Sequence, residues 1–142
     1  MPERLPEFLA NHPLLTGALL AVIGLILYTE LGRLTRKYRS LSPAEAVRVI
    51  NQEGSLVLDV REDNEVASGR IAGAKHIPLG SLKKRIGDIE KYKDKPVVVY
   101  CRSGNRSATA AHQLTAAGFE DVVNLQGGIQ AWQSANLPIK KK

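Results

Sequence analysis

The residues best suited to chemistry lie in one short stretch, Cys101-Arg102-Ser103-Gly104-Asn105-Arg106-Ser107, which holds the only cysteine of the 142-residue chain. A thiolate is a nucleophile and a thiol is not. Free cysteine has a pKa of about 8.5, and a helix N-terminus or neighbouring arginines can lower it to roughly 3.5–7.5. Arg102 and Arg106 flank the cysteine, and Gly104 gives the loop backbone conformations closed to other residues. Several loop N–H groups can then converge on the sulfur as a nest for negative charge. The competing reading is an inert core cysteine, a common buried residue. Two arginines and a glycine so close to the sulfur favour an activated thiol.

The elements that must position this stretch follow from its flanks. Residues 95–100, Lys-Pro-Val-Val-Val-Tyr, form an apolar β-branched run that reads as a buried strand. Residues 107–114 read as a helix, with Gly118 as its left-handed cap and Phe119 packing back against it. The cysteine therefore stands where a strand stops and a helix starts. In open α/β sheets that edge is where ligands bind.

The rest of the chain from residue 41 alternates helix and strand patterns. Ser42, Pro43 and Glu45 spell an N-cap, a first helical residue and a capping box, with Leu41 and Ala46 as a staple. That helix should run to about Gln52, with Gly54 as its stop. Residues 55–60 are then a strand carrying Asp59, followed by a charged loop over 61–65. Asp59 reads as a structural carboxylate, accepting loop N–H groups or pairing with Arg61 or Arg70, because buried acids are paired. Residues 69–78 form a turn with two glycines that feeds a short strand closed by Pro78. His76 has no second histidine at ligand spacing and reads as hydrogen-bonded structure, not a metal ligand. Residues 81–91 read as a surface helix with Leu82, Ile86 and Ile89 inward, and His112 as lying on a solvated face. Residues 121–125 are another strand. Gly127 and Gly128 let backbone pass close to the cysteine loop, and Trp132 is core. Such alternation implies a parallel sheet covered on both faces.

Composition bounds the remaining possibilities. Hydrophobic residues make up 44% of the chain, enough for a real core. The net charge of +6 lies in scattered lysines and arginines, concentrated only after residue 32 and at Lys140-Lys141-Lys142. Aromatic residues are 5%, with no interleaving of basic and aromatic positions, so a nucleic-acid partner is not indicated. One cysteine allows neither an intramolecular disulfide nor a cysteine-cluster metal site, and it fits a reducing compartment.

Before the domain, residues 13–29 carry no charge over 17 positions. At ~1.5 Å per residue this is about 25 Å, at the short end of what a bilayer core requires. Tyr28 suits an interface, while Glu30 and Arg33 would snorkel. The positive charges follow the apolar run, which argues against a cleaved leader. The run is apolar all round, which argues against an interfacial helix. The expected organisation is a lead-in over 1–12, a transmembrane helix over 13–32, a basic tether over 33–40 and a domain over 41–142. Arg33, Arg36, Lys37 and Arg39 after the span, against Arg4 before it, place the domain on the cytoplasmic side. The expected location is a single pass of the inner or plasma membrane.

The cysteine loop resembles the active-site loop of the rhodanese family, Cys-Arg-x-Gly-x-Arg then Ser, with every position filled. Asp59-Val60-Arg61 matches a second motif of that family, residues 69–78 a third, and Gly127-Gly128 with Trp132 a fourth. The resemblance covers about residues 41–138. It implies an α/β fold, a three-layer rhodanese-like domain with a central parallel sheet, here preceded by one N-terminal transmembrane helix. It also implies sulfur transfer without a metal or organic cofactor. Cys101 would take sulfur from a small anionic donor such as thiosulfate, become a persulfide, and pass it to cyanide, a cellular thiol or a protein acceptor. Arg102 and Arg106 would draw in the donor, and Ser103, Gly104, Asn105 and Ser107 would complete its binding loop. Asp59, Arg61 and Arg70 would support the site. Two alternatives belong to other classes. Phosphatases and arsenate reductases of the same fold have five residues between cysteine and arginine, whereas four separate Cys101 from Arg106. A non-catalytic anchored binding module would have no need of the intact loop.

Overall fold

The structure is a computed structural model that describes residues 2–34 and 37–141. The chain divides into two compact units, one ending at residue 36 and one beginning at residue 37. Arg36 and Lys142 of the basic clusters lie outside the described residues, as does the side chain of Arg33.

The first unit is helical. A 3-10 turn, Pro2–Arg4, leads into α1 (Leu5–Asn11), where a polar lead-in was expected. Proline at the start of a helix loses no hydrogen bond, which lets this short segment coil. Helix α2 (Pro13–Leu34) follows, with 22 residues. Its stretch Pro13–Gly32 is long and apolar enough to cross a membrane, and none of its most apolar window is buried. At ~1.5 Å per residue, 20 residues make about 30 Å.

The second unit carries a five-stranded sheet. Its strands are β1 (Arg39–Leu41), β2 (Leu56–Asp59), β4 (Lys75–His76), β5 (Pro96–Tyr100) and β6 (Asp121–Leu125). They are ordered β1-β6-β5-β2-β4, and every pairing is parallel. Two further strands, β3 (Arg70–Ile71) and β7 (Ile139–Lys140), form a separate antiparallel ribbon. The terminal lysine run thus begins within a strand. Its Ile139 pairs with Ile71, which is buried.

The alternation of side chains explains why both sheet faces need cover. Leu56, Leu58, Val97, Val99 and Val122 face a core built with α6 (Asn105–Ala116) and α5 (Leu79–Arg85). Val57, Val98, Tyr100, Val123 and Leu125 face the other core, built with α3 (Pro43–Ile50) and α7 (Gly128–Ser134). The expected three layers are present.

Local signals set most element ends. Ser42 caps α3 through the expected capping box, its hydroxyl accepting from the Glu45 N–H at 3.4 Å. The helix stops at Ile50, two residues before Gln52; Gly54 follows at φ +79°, and the Ser55 hydroxyl donates to the Ile50 carbonyl at 2.6 Å. Helix α6 closes as a Schellman motif. Gly118 takes φ +97°, the Phe119 N–H donates to Leu114 O, and both Phe119 and Leu114 are core. The helix expected over 81–91 divides instead into α5 and a 3-10 turn, Ile86–Tyr92. Gly87 sits at the change, where its low helix propensity weakens the α-helical pattern. Leu82 and Ile89 still point inward, and Ile86 is partly buried. His112 is exposed, as expected.

Candidate active site

Strand β5 delivers Cys101 to the carboxyl edge of the sheet, between the ends of β2 and β6. The chain then turns through Ser103 and Gly104 into α6. That helix begins at Asn105, two residues earlier than expected, because Gly104 at φ +103° makes the entry turn. Its Cβ position would lie 3.3 Å from the Gly127 nitrogen, so a side chain there would crowd the next loop.

The sulfur is enclosed, with Cys101 1% exposed. The Gly104 N–H donates to Sγ at 3.1 Å, and Ser107 Oγ lies 3.4 Å from it. Ser107 donates to Asn124 Oδ1 at 2.6 Å, and Asn124 Nδ2 donates to the Gly104 carbonyl at 3.3 Å. These contacts tie the cysteine loop, the start of α6 and β6 together. Burial pushes the Cys101 thiol up. Hydrogen bonds from the Ser107 hydroxyl and from the backbone of Ser107, Gly104 and Ser103 outweigh it, so the net shift is downward. The groups that favour the thiolate here are hydrogen-bond donors of the loop and of Ser107.

The other side of the loop is held by α7. The Ile129 N–H donates to Cys101 O at 2.9 Å, and the Gln130 N–H to Arg102 O at 3.2 Å. Gly127 and Gly128 have φ of +73° and +59°, and a Cβ on Gly128 would overlap the backbone of Cys101 and Arg102. The close backbone approach expected of this glycine pair is found there, and Trp132 is core.

The two flanking arginines differ. Arg102 is exposed beside a cleft of about 280 Å³ whose other lining residues include Arg61, Glu65, Ser68, Gln130 and Gln133. Arg106 lies in the first turn of α6 and is bound by Glu65, its Nη1 and Nη2 donating to the two carboxylate oxygens at 2.6 and 2.8 Å. Arg106 holds the Glu65 carboxyl at about 2, and Glu65 in turn raises Arg106. The pair ties the start of α6 to α4 (Asp63–Val66). Ser103 and Asn105 are both exposed on the loop.

Asp59 is fully buried and pairs with Arg61, not Arg70. Arg61 donates to Asp59 Oδ2 at 2.7 Å, to Gly69 O at 2.8 Å and to Glu65 O at 3.3 Å. This one guanidinium thereby orders the loop that carries Glu65. Arg70 is exposed in β3 and stands with His76 and Asp63 around a different cleft. His76 Nε2 lies 2.6 Å from the Arg61 carbonyl, the structural role expected of it. Tyr100 is buried beneath Arg61, and its hydroxyl accepts from the Ile71 N–H at 3.1 Å. Burial, and then the nearby Asp59, push the phenol's pKa up.

Glu65 and Asn124 are the two contributors that the sequence reading did not single out. Glu65 sits 41 residues from its partner in a run of charges, and no local signal marks it. Asn124 did carry a signal, since it is the polar residue in the otherwise apolar run Val122-Val123-Asn124-Leu125.

A cysteine loop at the carboxyl edge of this parallel sheet, with helices on both faces, defines a class that comparison with known proteins identifies. Residues 42–135 match the rhodanese-like domain family, and the chain belongs to that family. The uncharacterized protein YibN of Escherichia coli K12 is 36% identical over 138 residues, 96% of each chain. A protein named sulfurtransferase from Allochromatium vinosum is 41% identical over 92 residues, covering 65% of this chain and 84% of that one. Among solved structures, a rhodanese-related protein of Thermoplasma volcanium superposes with TM-score 0.66 at 36% identity, over 74% of this chain and all of that one. A Rhodopseudomonas palustris protein of unknown function, described as a possible tyrosine phosphatase, superposes with TM-score 0.63 at 28% identity, over 72% and 85%.

Proposed function

We propose that the protein is a sulfurtransferase that works through a persulfide on Cys101. The observation that carries this reading is a buried Cys101 sulfur at the carboxyl edge of the sheet, with the Gly104 N–H and the Ser107 hydroxyl converging on it. The thiolate attacks the outer sulfur of a donor such as thiosulfate. A new S–S bond forms to Cys101, the donor's S–S bond breaks, and sulfite leaves with the electron pair. The persulfide's charge then rests on the loop N–H groups. Cyanide or a thiol attacks the outer sulfur, takes it as thiocyanate or a new persulfide, and returns Cys101 as thiolate. Atoms and electrons balance across this double displacement. Arg102, exposed beside the cleft, is the cation that attracts an anionic donor.

A phosphatase on the same fold is the second reading, favoured by one structural neighbour. It needs an arginine free to hold the phosphate oxygens. Arg106 is clamped by Glu65, and the loop is one residue shorter than those phosphatases have. The discriminating experiment runs a thiosulfate–cyanide assay beside a phosphate-ester assay. Thiocyanate should form at a rate that Cys101→Ser abolishes, with no ester hydrolysis. Ester hydrolysis without thiocyanate would establish the phosphatase instead.

The reading also includes the membrane. Helix α2 anchors the protein in the inner or plasma membrane, with the domain on the cytoplasmic side where a thiol stays reduced. The support is its length, its exposed apolar side chains and the basic residues that follow.

A further inference from the structure

The Ser107 hydroxyl has a single proton and two neighbours that can accept it. Ser107, Asn124 and Cys101 are all buried, at 0%, 6% and 1% exposure. Asn124 Nδ2 faces the Gly104 carbonyl, which can only accept, so Oδ1 must face Ser107. With its proton on Asn124, Ser107 turns lone pairs toward the sulfur 3.4 Å away. That arrangement suits a thiol, whose S–H donates to the serine. A thiolate has no proton to give. It requires the serine proton for itself, and Asn124 Oδ1 then loses its donor.

We infer that Asn124 is a positioning residue which competes with the Cys101 sulfur for the Ser107 proton and so sets how readily Cys101 ionises. The inference rests on Cys101 being the sulfur-bearing nucleophile. In the thiolate state the Ser107 O–H donates to Sγ. Once sulfur has been transferred, Sγ is neutral and the proton returns to Asn124. The pair thus gives the site two hydrogen-bonding states that match its two covalent states. Arg106 of α6 pairs with Glu65 of α4, and Arg61 pairs with Asp59 at the end of β2. Arg102 is exposed, α7 contains no charged residue, and the neighbouring β6 presents the neutral Asn124.

The test is the pH dependence of alkylation of the single cysteine in the full chain, which needs no sulfur donor and so stands apart from the assay of sulfur transfer. Asn124→Leu removes the competitor at similar volume and should move the midpoint down by about one pH unit, the size of one hydrogen bond to a charged group. Asn124→Ala carries the same expectation and reads it if the leucine variant does not fold. Ser107→Ala should move the midpoint up by about as much. In a Ser107→Ala background, removing Asn124 should shift nothing, because its effect passes through the serine. A midpoint that stays or rises when Asn124 is removed would overturn the inference. So would an unmoved midpoint in Ser107→Ala, or a full downward shift that persists without Ser107.

Discussion

Arg106 shows how a side chain's role depends on what it meets. Its spacing from Cys101 points to anion binding, yet its guanidinium is held by both oxygens of Glu65. The surroundings of the cysteine were legible, since the Gly104 N–H and the Ser107 hydroxyl that contact its sulfur lie within six residues of it. Glu65 was not legible, because a contact over 41 residues leaves no trace in local pattern. The pair has a consequence for acid stability. The Glu65 carboxyl stands at about 2, below its ordinary 4.5. Such a group contributes stability that is present above the unfolded value and lost as pH falls through the folded one. Because both side chains are partly exposed, the contribution is only about 1 kcal/mol. Glu65→Gln should therefore be less stable than wild type by about that amount in urea at neutral pH. The gap should close progressively between about 4.5 and 2. A gap independent of pH would mean that the pair stabilises nothing through its charge.

At the scale of elements, the caps, the alternation and the Gly127-Gly128 joint were readable, and the ribbon of β3 with β7 was not. The Ser42 capping box and the Gly118 Schellman turn are written in consecutive residues. The ribbon of β3 with β7 joins residues about seventy positions apart, and neither two-residue strand has a periodic pattern of its own. The decisive joint is α7 against the cysteine loop. Gly128 at φ +59° leaves no room for a side chain, and the atoms in the way are backbone. Gly128→Ala should cost roughly 1–3 kcal/mol of stability and displace the loop carbonyls that α7 binds, so activity should fall more than stability alone explains. Gly80→Ala is the matched control. Gly80 lies in α5, its φ is not in the left-handed region, and nothing lies within 4 Å of its Cβ position. It should be neutral or more stable by about 0.5–1 kcal/mol. Equal losses at both positions would refute the joint as the reason. Thermal unfolding and turnover of the two variants decide it.

At the scale of the molecule, the division into two units gives the anchor its own test. A chain beginning at residue 37 contains the whole sheet, both cores and the site. It should be soluble, folded and as active as the full chain, whereas the full chain should sediment with membranes. In intact cells a thiol label that cannot cross the membrane should miss Cys101 and should reach it after lysis. Aggregation of the shorter chain would return α2 to the domain, and labelling of intact cells would reverse the orientation. The measurement closest to the central claim is the intact mass of the full chain after thiosulfate and then after cyanide. The account predicts a gain of one sulfur atom located on Cys101, absent in Cys101→Ser and removed by cyanide with thiocyanate released. An unchanged mass after thiosulfate, with the cysteine still free to alkylate, would contradict it.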